Sequence, residues 1–106
     1  MNKTSALHFS LYQHINYQEG SIVSKEVLKN QGGTVTLFAF DKGQGLSEHK
    51  TPYDALVYIV DGEAEITISG MINIVKSGEM IKMPSGEPHA LKANKQFKML
   101  LIMIKS

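Results

Sequence analysis

The sequence predicts an all-β domain, folded as a closed barrel or as a two-sheet jelly roll. Turn-forming residues punctuate the chain at short intervals, as at residues 41–45, 77–78 and 84–88, and such spacing is typical of short strands. The runs between these turns are rich in β-branched and aromatic residues. Because free strand edges must be protected, about seven to ten such strands favour closure into a barrel or jelly roll.

The strands follow one another from residue 34 onwards. Residues 34–40 form the first clear strand, and the apolar run 55–60 is followed by the segment 63–68, in which every second residue is apolar. Asp61 and Gly62 between these two runs are a residue pair favoured in two-residue hairpins, so they predict a hairpin there. The remaining predicted strands are 71–76, 80–83, 89–93 and 97–105.

The first thirty residues have the least regular pattern. Segments 5–14 and 24–28 fit a short helical turn and an edge strand equally well. We expect residues 1–33 to form strands and turns that pack on the barrel or on a dimer partner. Residues 34–106 are expected to form the barrel itself, and the two parts together make one domain.

Composition and charge exclude several classes of protein. All 11 basic residues are lysines, and 10 acidic residues leave a net charge of +1, so no basic surface for nucleic acid is expected. No apolar stretch approaches the roughly 20 residues of a membrane span, and no membrane partner is expected. The polar start of the chain lacks a signal-peptide core, which predicts a cytoplasmic protein. We interpret Lys92, Lys95 and Lys98 as a solvated cluster that aids solubility.

Two of the predicted strands are apolar on both faces. Residues 55–60 and 99–104 carry apolar side chains at almost every position rather than at every second one. A strand buried on both sides in so small a domain needs a second surface against which to pack. We therefore predict a homodimer, formed through sheet faces or exchanged edge strands.

A motif of fixed spacing surrounds one of the four histidines, His89. Five residues separate Gly78 from Pro84, one residue separates Pro84 from Gly86, and two residues separate Gly86 from His89. This spacing resembles the second sequence motif of the cupin superfamily. Ala93 stands where that family usually has asparagine.

A second block, residues 45–51 followed by Gly62, resembles the first cupin motif. With both motifs the resemblance covers about residues 34–103, and it is similar to a group of small bacterial single-domain cupins. The fold that it implies is the β-barrel jelly roll already expected from the turn spacing. His49 in this block, like His89, follows a turn-rich segment and is expected to open a strand.

The first motif departs from the metal-binding pattern of the family. Metal-binding cupins usually supply two histidines one residue apart and a glutamate a few positions on, and here those positions hold His49, Thr51 and Ala55. The resemblance therefore implies two ligands, His49 and His89, for a divalent Fe, Mn, Zn or Ni. Catalytic zinc usually has three protein ligands, and non-haem iron has two histidines and a carboxylate. Asp54 or Glu48 could supply the carboxylate only if the strand bulges near Pro52, and strand parity argues against this because it turns both side chains away from the histidines.

The resemblance and the apolar lining together predict a small cupin that binds a small molecule in the barrel interior. His49 and His89 are expected to approach each other there. Two alternatives stay open: a metal-dependent dioxygenase or isomerase with both histidines as ligands, and a metal-free enzyme in which one histidine acts as a general base. The predicted pocket is lined by His49, Thr51, Val57, Met83, His89, Leu91, Phe97 and Met99.

Overall fold

The computed structural model describes residues 7–105, and this part of the chain folds into eight antiparallel β-strands, as the all-β prediction requires. Within the same residues no helix is long and apolar enough to span a membrane. The strands are β1 (Ile22–Asn30), β2 (Gly33–Phe40), β3 (Gly45–His49), β4 (Asp54–Ile68), β5 (Met71–Lys76), β6 (Met80–Met83), β7 (His89–Lys92) and β8 (Phe97–Ile104).

The strands form two sheets that share the long strand β4. The first sheet has the order β1, β2, β8, the first half of β4, and β6, and the second has β3, β7, the second half of β4, and β5. Apolar side chains from the inner faces of both sheets meet in one buried core, which includes Phe40, Val57, Ile66, Leu91 and Phe97. The fold is therefore the predicted jelly roll.

The hairpin predicted at Asp61 and Gly62 is wrong, because β4 runs without a turn through both residues. The register of β4 against β8 shifts between Ile59 and Asp61, which marks a β-bulge. Gly62 has a φ of 77°, and a Cβ atom there would lie 2.1 Å from the carbonyl oxygen of Gln96. Asp61 and Gly62 therefore lie in a β-bulge rather than in a hairpin turn. At this bulge β4 leaves the first sheet and joins the second.

The hairpin that returns the chain lies at Ser69 and Gly70 instead. Ile68 pairs with Met71 across it, so the loop has two residues. Ser69 and Gly70 have φ values of 49° and 81°, and positive φ at both central positions is the property of a type I′ turn. This turn suits the right-handed twist of β4 and β5.

The strand β3 is absent from the sequence-based prediction. All of its residues are exposed, so Gly45–His49 shows no apolar alternation. His49 was expected to open a strand, but it is the last residue of β3. His89 opens β7, as expected.

Residues 7–21, here called the N-terminal segment, cover part of the outer face of the first sheet. The Ile15 side chain is 4% exposed and packs in a small cluster with Leu37 and Ala39 of β2. The half-buried Val60 and Leu100 join this cluster from β4 and β8. Residues 24–28, whose pattern is ambiguous in the sequence, lie within the edge strand β1.

Lys98 is buried under this segment, so its assignment to a solvated cluster is wrong. It is 3% exposed, and its Nζ donates a hydrogen bond of 2.6 Å to the carbonyl oxygen of Tyr12. The same ammonium lies 3.9 Å from the centre of the Tyr12 ring and 5.0 Å from that of Tyr17. The Tyr17 hydroxyl donates to the Asp61 carboxylate, and burial together with that carboxylate raises the pKa of Tyr17. The alternation of side chains along β8 places Lys98 on the outer face of the sheet, away from the core. The N-terminal segment covers this part of the outer face and therefore buries Lys98.

Candidate functional site

The structure brings His49 and His89 together at one end of the barrel. The two residues are paired across β3 and β7, and their ring centres lie 4.3 Å apart in an edge-to-face arrangement. A register shift between Leu46 and His49 makes this pairing possible. His89 is 3% exposed, whereas His49 is exposed to solvent. The pair therefore has one solvent-facing member and one member inside the barrel.

Each imidazole is held by a backbone carbonyl two residues before it. Nδ1 of His49 lies 2.8 Å from the carbonyl oxygen of Ser47, and Nδ1 of His89 lies 3.3 Å from that of Glu87. A carbonyl oxygen only accepts hydrogen bonds, so Nδ1 carries the proton in both rings. In the neutral rings Nε2 is then the nitrogen that keeps its lone pair.

The barrel environment keeps His89 neutral. Burial lowers the pKa of His89, and a positive charge on the neighbouring His49 would lower it further. The Glu87 carbonyl opposes this effect without reversing it. His89 is therefore a hydrogen-bond acceptor at neutral pH, because its Nδ1 proton is already donated to that carbonyl.

The predicted metal positions between the two motifs carry no further ligand. The Thr51 hydroxyl accepts a hydrogen bond of 2.9 Å from the backbone N–H of Tyr53, and Ala55 is buried in the core. Asp54 is exposed, and its carboxylate accepts a hydrogen bond of 2.9 Å from the backbone N–H of Ser85. Thr51 and Asp54 thus stabilise the loops beside the histidines.

The donor set does not fit a firmly held metal ion. Within residues 7–105 no three side chains of histidine, cysteine, aspartate or glutamate are grouped so that they could hold one. The remaining ligands are two imidazoles, which is fewer than structural or catalytic sites for these metals usually supply.

The remaining residues of the predicted pocket fill the barrel. Val57 and Phe97 are fully buried, and Phe97 stacks on Phe40 with ring centres 4.5 Å apart. Met83, Leu91 and Met99 belong to the same packed cluster. These side chains belong to the packed core of the barrel, and the candidate site is thereby reduced to His49, His89 and their immediate neighbours.

Ile68 and Leu46 are two neighbours of the histidines that sequence reasoning missed. Ile68 of β4 pairs directly with His89, and Leu46 of β3 pairs with Leu91, the residue two positions along from His89. Leu46 is 37% exposed, so it is accessible to solvent. The alternation of 64, 66 and 68 predicts that Ile68 faces inwards, but only the strand register places it beside the histidine.

The fold and the histidine pair define a small jelly-roll barrel with a polar mouth. The family model described as "Cupin domain" matches residues 36–105. The chain therefore belongs to the cupin family, as its two motifs predict. None of the curated proteins compared with it matches.

Solved structures give the same result. A conserved protein of unknown function from Streptococcus pyogenes is 38% identical, with a TM-score of 0.91 over 100% of this chain and 93% of that one. A cupin 2 conserved barrel domain protein from Leptotrichia buccalis is 43% identical, with a TM-score of 0.88 over 92% of this chain and 47% of that one. A cupin superfamily protein from Desulfitobacterium hafniense is 25% identical, with a TM-score of 0.90 over 100% and 97%.

Proposed function

We propose that this protein is a small-molecule-binding cupin whose site at His49 and His89 works without a firmly held metal ion. The observation that carries the proposal is the pair of Nδ1–H groups tied to the carbonyls of Ser47 and Glu87. In both neutral rings Nε2 is then the nitrogen that keeps its lone pair, and the two rings lie side by side with ring centres 4.3 Å apart. A ligand that matches it has an apolar body and at least one hydrogen-bond donor.

The charge of the site favours a neutral ligand over an anion. An anion would need a cation or donor groups to meet it, whereas neutral imidazoles with their Nδ1–H groups engaged offer lone pairs. Burial of His89 disfavours the imidazolium form that would attract an anion. The apolar neighbours Ile68 and Leu46 favour a ring or an aliphatic body beside the donor group.

The test uses phenol as a probe and anisole as its control. The two molecules have similar apolar bodies, but only phenol donates a hydrogen bond. Nitrogen-15 spectra of the histidine rings first report the tautomers, and titrations then follow Nε2 of His49 and His89. We expect phenol to shift these signals and anisole to leave them nearly unchanged.

Variants connect the binding to the two histidines. His49→Ala and His89→Ala are each expected to weaken phenol binding about tenfold, which is the loss of about 1.4 kcal/mol from one hydrogen bond. His14→Ala is the matched control, since that ring stacks on Phe9 in the N-terminal segment. Equal binding of phenol and anisole would contradict the proposal.

Metal content distinguishes the alternative function. The protein is purified without a histidine tag or chelator and analysed by mass spectrometry, with His49→Ala and His89→Ala alongside. We expect the metal content to stay well below one ion per chain. Near-stoichiometric metal that is lost in both variants would overturn the proposal in favour of a metal-dependent dioxygenase or isomerase.

A further inference from the structure

The loop between β6 and β7, residues 84–88, leads directly into His89 and is called here the histidine loop. Its residue Glu87 supplies the carbonyl oxygen that accepts a hydrogen bond from Nδ1–H of His89. Which ring nitrogen of a histidine carries the proton is set by the hydrogen bond that the ring makes. The position of the Glu87 carbonyl therefore decides whether Nε2 of His89 offers a lone pair to a ligand.

The hydrogen bond between Glu87 and His89 leaves little room for movement of the histidine loop. Nδ1 of His89 lies 3.3 Å from the carbonyl oxygen, whereas the corresponding distance between His49 and Ser47 is 2.8 Å. Such a hydrogen bond no longer exists at about 3.6 Å. A small displacement of the Glu87 carbonyl is therefore enough to release Nδ1 of His89.

Backbone and side-chain hydrogen bonds anchor the histidine loop at both of its ends. Next to His89, the backbone N–H of Ser69 donates to the carbonyl oxygen of Pro88 at 2.8 Å, and the Ser69 hydroxyl donates to the Glu87 carboxylate. At the other end, the backbone N–H of Gly86 donates to the carbonyl oxygen of Thr51 at 2.8 Å. The Glu87 carbonyl lies between these two anchors, so both of them control its position.

Asp54 adds a side-chain anchor at the end of the loop that is farther from His89. Its Oδ1 accepts a hydrogen bond of 2.9 Å from the backbone N–H of Ser85. Asp54 is the first residue of β4, and its backbone is fixed by pairing with Ile104 of β8. Because Asp54 is exposed, removal of its carboxylate changes the anchoring of the loop without opening a cavity in the core.

We propose that Asp54 is a positioning residue, which holds the histidine loop through Ser85 and thereby keeps the proton of His89 on Nδ1. This role rests on the proposed function, because it maintains the Nε2 lone pair that the function requires. His49 does not share the dependence, since its Nδ1 partner, the Ser47 carbonyl, belongs to β3. Asp54 is thus expected to act on one of the two rings.

Nitrogen-15 spectra of the ligand-free protein test the proposal, because they report the tautomer of each histidine ring. We expect Asp54→Ala to move part of the His89 population to the Nε2–H tautomer and to leave His49 unchanged. The apparent Kd for phenol should then rise about threefold, because only the fraction with its proton on Nδ1 offers the Nε2 lone pair. Asp54→Asn should restore both properties, since an amide oxygen still accepts from the Ser85 N–H.

Asp41→Ala is the matched control. The Asp41 carboxylate also accepts a hydrogen bond from a backbone N–H, that of Gly20 at 2.7 Å, but it follows Phe40 at the end of β2. Its removal is expected to leave both histidine tautomers unchanged, even where it lowers stability as much as Asp54→Ala does. Circular dichroism of all variants checks that the fold is intact.

The outcomes separate the role of Asp54 from the proposed function. An unchanged His89 tautomer in Asp54→Ala, or a change that Asp41→Ala produces equally or that Asp54→Asn does not reverse, overturns the positioning role and leaves the proposed function standing. A tautomer change specific to Asp54→Ala supports that role even if wild-type protein binds phenol and anisole equally, which contradicts the proposed function. A wild-type protein with the His89 proton on Nε2 overturns both.

Discussion

Two regions of the barrel differ in chemistry: the region around Phe40 and Phe97 on β2 and β8, here called the closed end, and the region around His49 and His89 on β3 and β7, here called the open end. At the closed end Phe40 and Phe97 stack in the core, and Lys98 ties the N-terminal segment over the outside. At the open end His49 and His89 meet with their Nδ1–H groups engaged by the backbone. We therefore expect the closed end to contribute most to stability, and the proposed ligand site lies at the open end. The following changes test that division, from the largest expected effect to the smallest.

Removal of an aromatic ring at the closed end is expected to have the largest effect. Phe97→Ala deletes a fully buried side chain, so it should lower the free energy of unfolding by about 3–5 kcal/mol. His49→Ala at the open end removes an exposed side chain and should cost less than about 1 kcal/mol. Urea unfolding measures both. A similar loss of unfolding free energy in Phe97→Ala and His49→Ala would show that the closed end contributes no more to stability than the open end.

The same substitution can be made at a glycine near each end. Gly62→Ala adds a methyl group 2.1 Å from the Gln96 carbonyl oxygen, whereas Gly70→Ala meets nothing within 4 Å, and both positions have positive φ. We expect Gly62→Ala to destabilise by about 2–4 kcal/mol, from strain plus overpacking, and Gly70→Ala by about 1 kcal/mol, from strain alone. Thermal unfolding gives the comparison, and a Gly70→Ala cost as large as that of Gly62→Ala would contradict it.

Lys98 tests how firmly the N-terminal segment is held to the closed end. Lys98→Ala leaves the Tyr12 carbonyl without its donor and removes the contacts with two tyrosine rings, so we expect a loss of about 2 kcal/mol. Limited proteolysis should then cut residues 7–21 faster. Lys92→Ala is the control, because Lys92 is exposed and its removal should change stability by less than about 0.5 kcal/mol. Unchanged proteolysis in Lys98→Ala would show that other contacts hold the segment.

The smallest effect is a pH dependence that comes from the open end. Because burial lowers the pKa of His89 below its ordinary 6.5, the unfolded chain takes up a proton there more readily than the folded chain. The free energy of unfolding should therefore fall as the pH drops through 6.5 towards the folded pKa, and His89 should contribute no slope at higher pH. His89→Gln should have a shallower slope in that window when unfolding is measured over a pH series. An identical slope in the variant would exclude His89 as its source.

Much of the barrel could be predicted because strand patterns are local. The alternation of Ala64, Ile66 and Ile68 identifies the inner face of β4, and the β-branched run at 34–40 identifies β2. The turn assignment failed at Asp61 and Gly62 because positive φ serves a bulge as well as a hairpin, and the local sequence does not distinguish them. Lys98 was misplaced because its cover comes from Tyr12, which is far away in the chain.

The sequence by itself determined which side chains are available at the candidate site: two histidines in the cupin motifs, threonine and alanine at the other ligand positions, and no cysteine. The tertiary structure decided how these side chains are arranged and which of their nitrogens carry protons. The register shift in β3 brings His49 opposite His89, the carbonyls of Ser47 and Glu87 select the tautomers, and burial lowers the pKa of His89. The physical reason is that residue types set which donors and acceptors exist, whereas distances and dielectric surroundings between strands distant in the chain depend on register and packing.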